Sequence, residues 1–334
     1  MRELQLPRVI FGTSGLGNLF VVLTDEEKLE IVKQCFICSD GPVVFDSAGK
    51  YGAGLALETL GKCLHALDVP PEQVVISNKL GWLRVPLTGD EPTFEPGVWK
   101  DLRHDAVQKI SFEGILECFE QGNQLLGGYL PQMVSVHDPD EYIASADSLA
   151  EADLRYNDIL QAYKALFRLK EEGKVRAVGV GAKDWRIIER ISRDVSLDWI
   201  MLANSMTIWR HPPELIKFIR EMAAKGVYII NSAVFHSGFL VGGDHFDYRK
   251  VSPGTPDNDQ LLARRDTFFS VCGQFGVKPS DACVRFALDV PGVDSIALNT
   301  TRAVRVKENL DMVNAAIPPA FWKALEEKMS VRRY

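Results

Sequence analysis

Four polar residues that could exchange protons stand at or just beyond the ends of short apolar segments. Asp46 ends the run Val-Val-Phe-Asp, Lys79 ends Val-Ile-Ser-Asn-Lys, and His137 ends Val-Ser-Val-His. Tyr51 follows Asp46 in a glycine-containing turn. The carboxyl ends of parallel barrel strands open at one common mouth, so we expect the four side chains to converge there. Taken singly, each has a structural explanation: a buried Asp–Lys ion pair, a core histidine, or a surface tyrosine in a turn.

Together the four residues could move a proton between a carbonyl and an alcohol. A free phenol has a pKa of about 10. An ammonium ~4 Å away contributes about 4 kcal/mol at an effective dielectric of ~20, which would lower that pKa by roughly three. We therefore predict that Lys79 lowers the pKa of Tyr51 toward neutrality. Asp46 would hold Lys79 charged and oriented, and His137 would hydrogen-bond the substrate oxygen.

Eight apolar segments could position these residues. Because they are almost continuously apolar, they are typical of strands buried on both faces, as parallel strands are. They cover residues 9–13, 43–46, 74–79, 133–137, 176–180, 199–203, 227–231 and 295–298.

Helical spacing separates the segments, as in Phe112, Ile115, Leu116 and Phe119. The same stripe recurs in two later segments: Ile159, Tyr163, Leu166 and Phe167, then Leu215, Phe218, Ile219 and Met222. Helix ends are marked by Gly173, Gly226 and Gly276. The repeat predicts the α/β class and a (β/α)8 TIM barrel forming one domain over residues 1–334. An open doubly wound sheet is the alternative.

Two irregular stretches follow the third and seventh predicted strands. Residues 81–105 contain prolines together with Trp82 and Trp99, which could form the wall of a pocket. Residues 238–260 could fold over a bound cofactor. Loops at the carboxyl ends of barrel strands are where an active-site cover would lie, although both stretches could also be plain surface excursions.

Composition restricts the function further. The chain has 334 residues, of which 46% are apolar and 25% charged, and a net charge of −7. An acidic chain is not expected to bind nucleic acid. No segment approaches ~20 consecutive apolar residues, and the N-terminus lacks a signal-peptide pattern, so we expect a cytoplasmic protein without a membrane partner. The oligomeric state stays open.

Two other patterns are weighed and set aside. Cys35 and Cys38 form a Cys-x-x-Cys pair, but no second pair completes a zinc site, so no metal is expected and the six cysteines are expected to be reduced core residues. Gly12, Gly15 and Gly17 do not have the G-x-G-x-x-G spacing of a dinucleotide-binding turn. We interpret them as a flexible turn after the first strand.

The longer motifs around the four polar residues resemble the aldo-keto reductase family. They comprise Phe45-Asp46-Ser47 through Tyr51-Gly52, Glu58-x-Leu60-Gly61, Ser77-Asn78-Lys79, the strand-end His137, and Gly173-Lys-Val-Arg-Ala-Val-Gly-Val180. The similarity spans nearly the whole chain. It implies a barrel enzyme in which Tyr51 is the general acid/base, Lys79 and Asp46 support it, and His137 orients the substrate.

The resemblance also implies a nicotinamide cofactor extended across the barrel mouth. Residues 299–309 resemble the segment that holds the adenosine end. The NADP pattern often has Lys where Asn299 stands, so NAD is favoured over NADP. The implied cofactor-binding residues are Gly12, Thr13, Asn204, Ser232, Val234, Asn299, Thr300, Arg305 and Asn309.

Within the family, His137-Asp-Pro-Asp-Glu141 and Asn231-x-x-Val-Phe-x-Ser-Gly238 look like the sugar 1-dehydrogenase branch. The implied reaction oxidises C1 of an aldose of the L-fucose, L-galactose or D-threo type to the lactone. Trp82, Trp185 and Trp209 could stack on the sugar or could be core residues. The alternatives are a general NADPH-dependent aldehyde or ketone reductase, a pyridoxal 4-dehydrogenase-like enzyme, and a non-catalytic barrel that serves as a binding subunit.

Overall fold

A closed barrel of eight parallel strands forms the centre of the protein, as seen in a computed structural model that describes residues 5–332 and 334. The strands are β1 Val9–Gly12, β2 Val43–Ala48, β3 Val74–Leu80, β4 Met133–His137, β5 Ala177–Ala182, β6 Trp199–Ala203, β7 Tyr228–Ser232 and β8 Ser295–Asn299. β1 pairs with both β2 and β8, which closes the ring. The (β/α)8 prediction is confirmed, and the open-sheet alternative is excluded.

Helices surround the barrel and cover its outer face. They are α1 Asp25–Ile37, α2 Leu55–Ala66, α3 Phe112–Leu125, α4 Pro139–Ala144, α5 Leu149–Glu171, α6 Trp185–Asp194, α7 Pro213–Ala224, α8 Pro256–Phe275, α9 Pro279–Leu288, α10 Val304–Met312 and α11 Pro319–Met329. The three predicted helical stripes fall in α3, α5 and α7. Side-chain hydroxyls of Ser111, Ser148 and Thr255 accept backbone N–H groups at helix starts. Gly173, Gly226 and Gly276 take positive φ at helix ends.

Large side chains fill the barrel below its mouth. Trp199 is 1% exposed and packs with Ile10, Val44, Met133 and other apolar residues of the interior. Its ring lies against Gly179 on the neighbouring strand, where a Cβ would come within 2.2 Å of the indole. Side chains therefore fill the barrel interior, and a ligand site is expected at the carboxyl ends of the strands.

The two irregular stretches contain structure that the sequence pattern did not reveal. Residues 81–105 contain the first strand of a hairpin, Trp82–Pro86, which pairs antiparallel with His104–Gln108. In the second stretch a 3-10 turn, Phe239–Val241, precedes a short hairpin of His245–Phe246 and Arg249–Lys250, and α8 already begins at Pro256. Among the described helices, none has the combined length and apolar character needed to cross a membrane.

Candidate active site

Three strand ends and one turn bring the four acid–base residues to one cavity of about 580 Å³. Lys79 Nζ donates to Asp46 Oδ2 at 2.5 Å and to the Ser47 carbonyl at 3.3 Å. The same ammonium lies 4.7 Å from the centroid of the Tyr51 ring. The imidazole of His137 meets that ring edge-on at 5.5 Å. Residues from β2, β3 and β4 thus surround one phenol.

The turn that carries Tyr51 is held by close backbone packing. Gly17 lies so near that an added Cβ would come within 2.9 Å of the Tyr51 carbonyl group, and Gly52 has a φ of +60°. Thr13 Oγ1 donates to the Asp46 carbonyl at 3.0 Å. The segment from Ser14 to Gly17 is a 3-10 turn. Gly17 therefore permits close backbone contact with the turn that carries Tyr51, a packing role that the flexible-turn interpretation did not include.

The protonation state of Tyr51 differs from the sequence prediction. Burial raises the pKa of Tyr51 well above its ordinary value, and the carboxylate of Asp46 raises it further. The ammonium of Lys50 lowers the pKa of Tyr51, but burial and Asp46 outweigh it, so the predicted net lowering of this pKa is not found. In the protein without ligands, Tyr51 is a neutral phenol and therefore a proton donor.

His137 is neutral as well. Burial lowers the pKa of His137 well below its ordinary value, and the ammonium groups of Lys79 and Lys50 lower it further. Its Nδ1 is buried and has no hydrogen-bond partner among the described residues. Its Nε2 is 3.6 Å from Asp138 Oδ2, which is too long for a hydrogen bond. A neutral imidazole keeps one N–H donor, which is available to an oxygen atom in the cavity.

A buried ammonium next to Tyr51 was missed at the sequence level. Lys50 Nζ lies 2.8 Å from Glu95, 3.1 Å from Glu141 and 3.3 Å from Asp138. Burial by itself would lower the pKa of Lys50, but the three carboxylates together raise it. Lys50 thus ties the excursion after β3 and the end of β4 to the catalytic turn. The position of Lys50 directly before Tyr51 was the one feature of the sequence that could have indicated its role.

The predicted cofactor residues divide into two groups. Most of them line the same cavity as the acid–base set: Gly12, Ser232, Val234, Asn299, Thr300, Arg305 and Asn309. Thr13 instead supports Asp46, as described above. Asn204 lies in a neighbouring cavity. These two positions therefore differ from the expected direct contact with the cofactor.

The lining residues fit a long polar ligand with a flat ring. Asn309 is 5% exposed, and its Nδ2 has no hydrogen-bond partner among the described residues. Small residues line the part of the cavity near Lys79, and a Cβ at Gly181 would come within 3.2 Å of the Lys79 side chain. Asn299 Oδ1 accepts the Gly15 N–H at 3.4 Å. A nicotinamide dinucleotide has the matching combination of a flat ring and polar groups.

The three tryptophans proposed to stack on a sugar lie elsewhere. Trp185, the first residue of α6, packs on Phe218, and Trp209 packs on Phe239 and Phe246. Trp82 packs on Phe94 next to Lys50. None of the three lines the cavity within the described part of the chain, and hydrophobic packing accounts for all of them. The expectation that they face a ligand is corrected accordingly.

Other aromatic residues form the cavity wall. Trp99 lies 5.8 Å from the Tyr51 ring, and its Nε1 donates to Glu95 at 2.6 Å. This agrees with the suggestion that Trp99 walls a pocket. Phe20, Phe235 and Tyr248 also line the cavity but were not predicted to do so. Their places depend on the paths of loops, for which the sequence carries no periodic signal.

A TIM barrel with Asp, Tyr, Lys and His at the mouth defines a class of proton- and hydride-transferring barrels. Residues 8–330 match the model of the Aldo/keto reductase family, and the chain belongs to that family. It is therefore an NAD(P)-dependent oxidoreductase.

Similar proteins agree with this assignment. The chain is 24% identical to a pyridoxal 4-dehydrogenase of Microbacterium luteolum, over 95% of this chain and 92% of that protein. It is 25% identical to a D-threo-aldose 1-dehydrogenase of Pseudomonas sp, over 97% and 94%. The structure of a glycerol dehydrogenase from Gluconobacter oxydans matches with a TM-score of 0.70 and 17% identity, covering 98% and 94%. That last likeness supports the fold alone.

Proposed function

We propose that this aldo-keto reductase oxidises C1 of an aldose of the L-fucose, L-galactose or D-threo type to the lactone, using NAD in preference to NADP. The observation that carries the proposal is the convergence of Tyr51, His137 and the Lys79–Asp46 pair on one cavity. The similarity to a D-threo-aldose 1-dehydrogenase supports the substrate class. Asn299, in place of a lysine, supports NAD.

In this reaction the bound nicotinamide supplies the hydride acceptor. Gly12, Ser232, Val234 and residues 299–309 would hold it. The C1 hydroxyl of the sugar lies between Tyr51 and the imidazole of His137, which donates a hydrogen bond to the oxygen. Tyr51 accepts the hydroxyl proton while the C1–H bond breaks, and Lys79 stabilises the phenolate that must form beforehand. Asp46 accepts a hydrogen bond from Lys79 and fixes its position.

The proposal is tested by following the formation of reduced nicotinamide from L-fucose, L-galactose and D-arabinose with NAD or NADP. Tyr51→Phe removes the proton acceptor and keeps the ring. We expect kcat to fall about 100- to 10,000-fold, the range for general acid–base catalysis. Tyr142→Phe, at a tyrosine outside the cavity, is the matched control. The aldose proposal fails if none of the sugars is oxidised, and the role of Tyr51 fails if its variant retains wild-type turnover.

Carbonyl reduction is a second candidate because the free protein holds Tyr51 as a neutral phenol. A phenol is the form required to donate a proton to a nascent alkoxide. The same panel therefore includes simple aldehydes with NADPH, together with pyridoxal and NAD because of the pyridoxal 4-dehydrogenase similarity. A kcat/KM for aldehyde reduction far above that of every sugar would favour this second function.

A further inference from the structure

A second cavity of about 450 Å³ adjoins the catalytic one. Glu95, Lys183 and Tyr248 line both cavities, so these three side chains form the boundary between them. We call the second cavity the side cavity. Beyond the shared residues it is lined by Asn204, Arg210, Asp247, Glu141, Pro96 and Val98. A ligand held at Tyr51 can therefore extend past Tyr248 into this space.

The charged groups of the side cavity are already paired with one another or with near neighbours. Arg210 NH2 lies 3.1 Å from Asp247 Oδ2. Lys183 Nζ bonds to Glu141, and Glu95 lies 2.8 Å from Lys50. Because each cation has a carboxylate partner, the cavity has no excess positive charge for a phosphate or carboxylate. It is suited to a neutral ligand.

The hydrogen-bonding capacity that remains includes several acceptors. Asn204 is 4% exposed, and its Oδ1 has no hydrogen-bond partner among the described residues. An ionised carboxylate can accept about four hydrogen bonds, so Glu95 and Glu141 retain free lone pairs after pairing. A ligand that brings O–H donors would satisfy these groups. The ring of Tyr248 and the side chains of Pro96 and Val98 add an apolar surface suited to the C–H face of a sugar ring.

The boundary residue Tyr248 is held in a fixed position. Asp247 and Tyr248 form a two-residue hairpin loop in which both residues have positive φ, +47° and +68°. The Tyr248 N–H donates to Ser237 Oγ at 2.9 Å, and Asp247 Oδ1 lies 2.7 Å from Nδ1 of the buried His236. Such backbone geometry in residues other than glycine persists where the surroundings impose it. Lys183 Nζ lies 4.9 Å from the Tyr248 ring centroid.

We propose that the side cavity binds a neutral, hydroxyl-rich unit attached to the aldose, so that the substrate is a reducing disaccharide or a similarly extended sugar. This rests on the proposed function. The reacting end is unchanged: the hydride leaves C1 for the nicotinamide and the O1 proton goes to Tyr51. The attached unit is bound but does not react, and it is linked to the aldose away from C1.

The experiment compares kcat/KM for L-fucose and for β-D-galactosyl-(1→4)-L-fucose with the same cofactor. We expect the disaccharide to have the higher value by about tenfold, the effect of one or two neutral hydrogen bonds. Val98→Trp fills the side cavity and should lower the disaccharide-to-monosaccharide ratio about tenfold. Pro96→Trp, at an exposed position of the same wall, is a second filling variant. Val107→Trp, at a 37% exposed valine of the neighbouring hairpin, is the control and should keep the ratio.

The outcomes separate the two proposals. Oxidation of L-fucose with rejection of the disaccharide by the wild-type protein overturns the extended-substrate inference and leaves the aldose proposal intact. An unchanged ratio in both filling variants also overturns the inference. Failure to oxidise L-fucose, L-galactose and D-arabinose as well as the disaccharide refutes the aldose proposal itself, and the inference with it.

Discussion

Removing the Lys50 ammonium should destabilise the protein and disturb the catalytic turn at once. Lys50 is 5% exposed and contacts three carboxylates, of which Asp138 is 12% exposed, Glu95 31% and Glu141 40%. Breaking a fully buried pair costs about 3–5 kcal/mol, whereas exposed carboxylates recover most of their hydration. In the variant, only Asp138 would remain largely buried without its ammonium partner. We therefore expect Lys50→Met to lower the free energy of unfolding by about 2–4 kcal/mol. For a chain of this size that is a fall in Tm of roughly 3–6 °C.

The assay is urea unfolding followed by intrinsic fluorescence, since Trp82 and Trp99 lie beside the cluster. Lys50→Arg keeps the charge and should recover most of the loss. Lys33→Met removes an exposed lysine that pairs with Glu30 at 3.5 Å, and its effect should stay below about 1 kcal/mol. If Lys50→Met unfolds at the same urea concentration as wild type, the cluster does not hold the loops as argued.

Three further predictions concern the site and the barrel. Because the pKa of Tyr51 is raised and that of His137 is lowered, kcat/KM for oxidation should keep increasing with pH past about 10, the ordinary pKa of a phenol. Reduction should stay level over the same range, and a loss of either activity near the ordinary histidine pKa would contradict these states. Asn299→Lys adds an ammonium to the part of the cavity that Arg305 also lines and should raise the NADP-to-NAD ratio of kcat/KM by about tenfold or more. Asn299→Gln is the uncharged control. An unchanged ratio in the lysine variant would show that this position does not belong to the cofactor site. Gly179→Ala places a Cβ within 2.2 Å of the Trp199 ring and should cost about 1–3 kcal/mol or more in urea unfolding, whereas Gly273→Ala, which meets no atom within 4 Å, should cost far less.

The barrel and the four acid–base residues could be predicted because they depend on local pattern. Strands buried on both faces are recognisable as apolar runs, and Asp46, Lys79 and His137 each end one of them. Tyr51 follows by its position in the next turn. Once parallel strands are assumed, the common mouth brings these residues together without any knowledge of individual contacts.

The residues that escaped prediction depend on long-range contacts. Lys50 meets Glu95 only because a hairpin returns the chain toward the catalytic turn. Tyr248 reaches the cavity through two positive-φ residues that no composition rule indicates. The assignment of Trp185 and Trp209 to the substrate site was wrong for a different reason. A tryptophan near a strand end can pack between the helices and the barrel as well as it can face a ligand. Burial, which decides the pKa of Tyr51, is likewise a property of the assembled loops.

The balance of charge at the barrel mouth links the protonation of Tyr51 to the kind of ligand that fits. Lys79, Lys50 and Lys183 are the ammonium groups that line the catalytic cavity in the described structure, and carboxylates pair with all three. The ammonium of Lys50 lowers the pKa of Tyr51, but burial and the carboxylates of Asp46 and Asp138 outweigh it, so Tyr51 stays a phenol. The same pairing leaves none of these three ammonium groups free to attract an anionic substrate near Tyr51. Charge pairing thus adds to the burial that raises the pKa of Tyr51, and the same pairing favours neutral, hydroxylated ligands. A change that unpairs one of these lysines should therefore lower that pKa and favour anionic ligands.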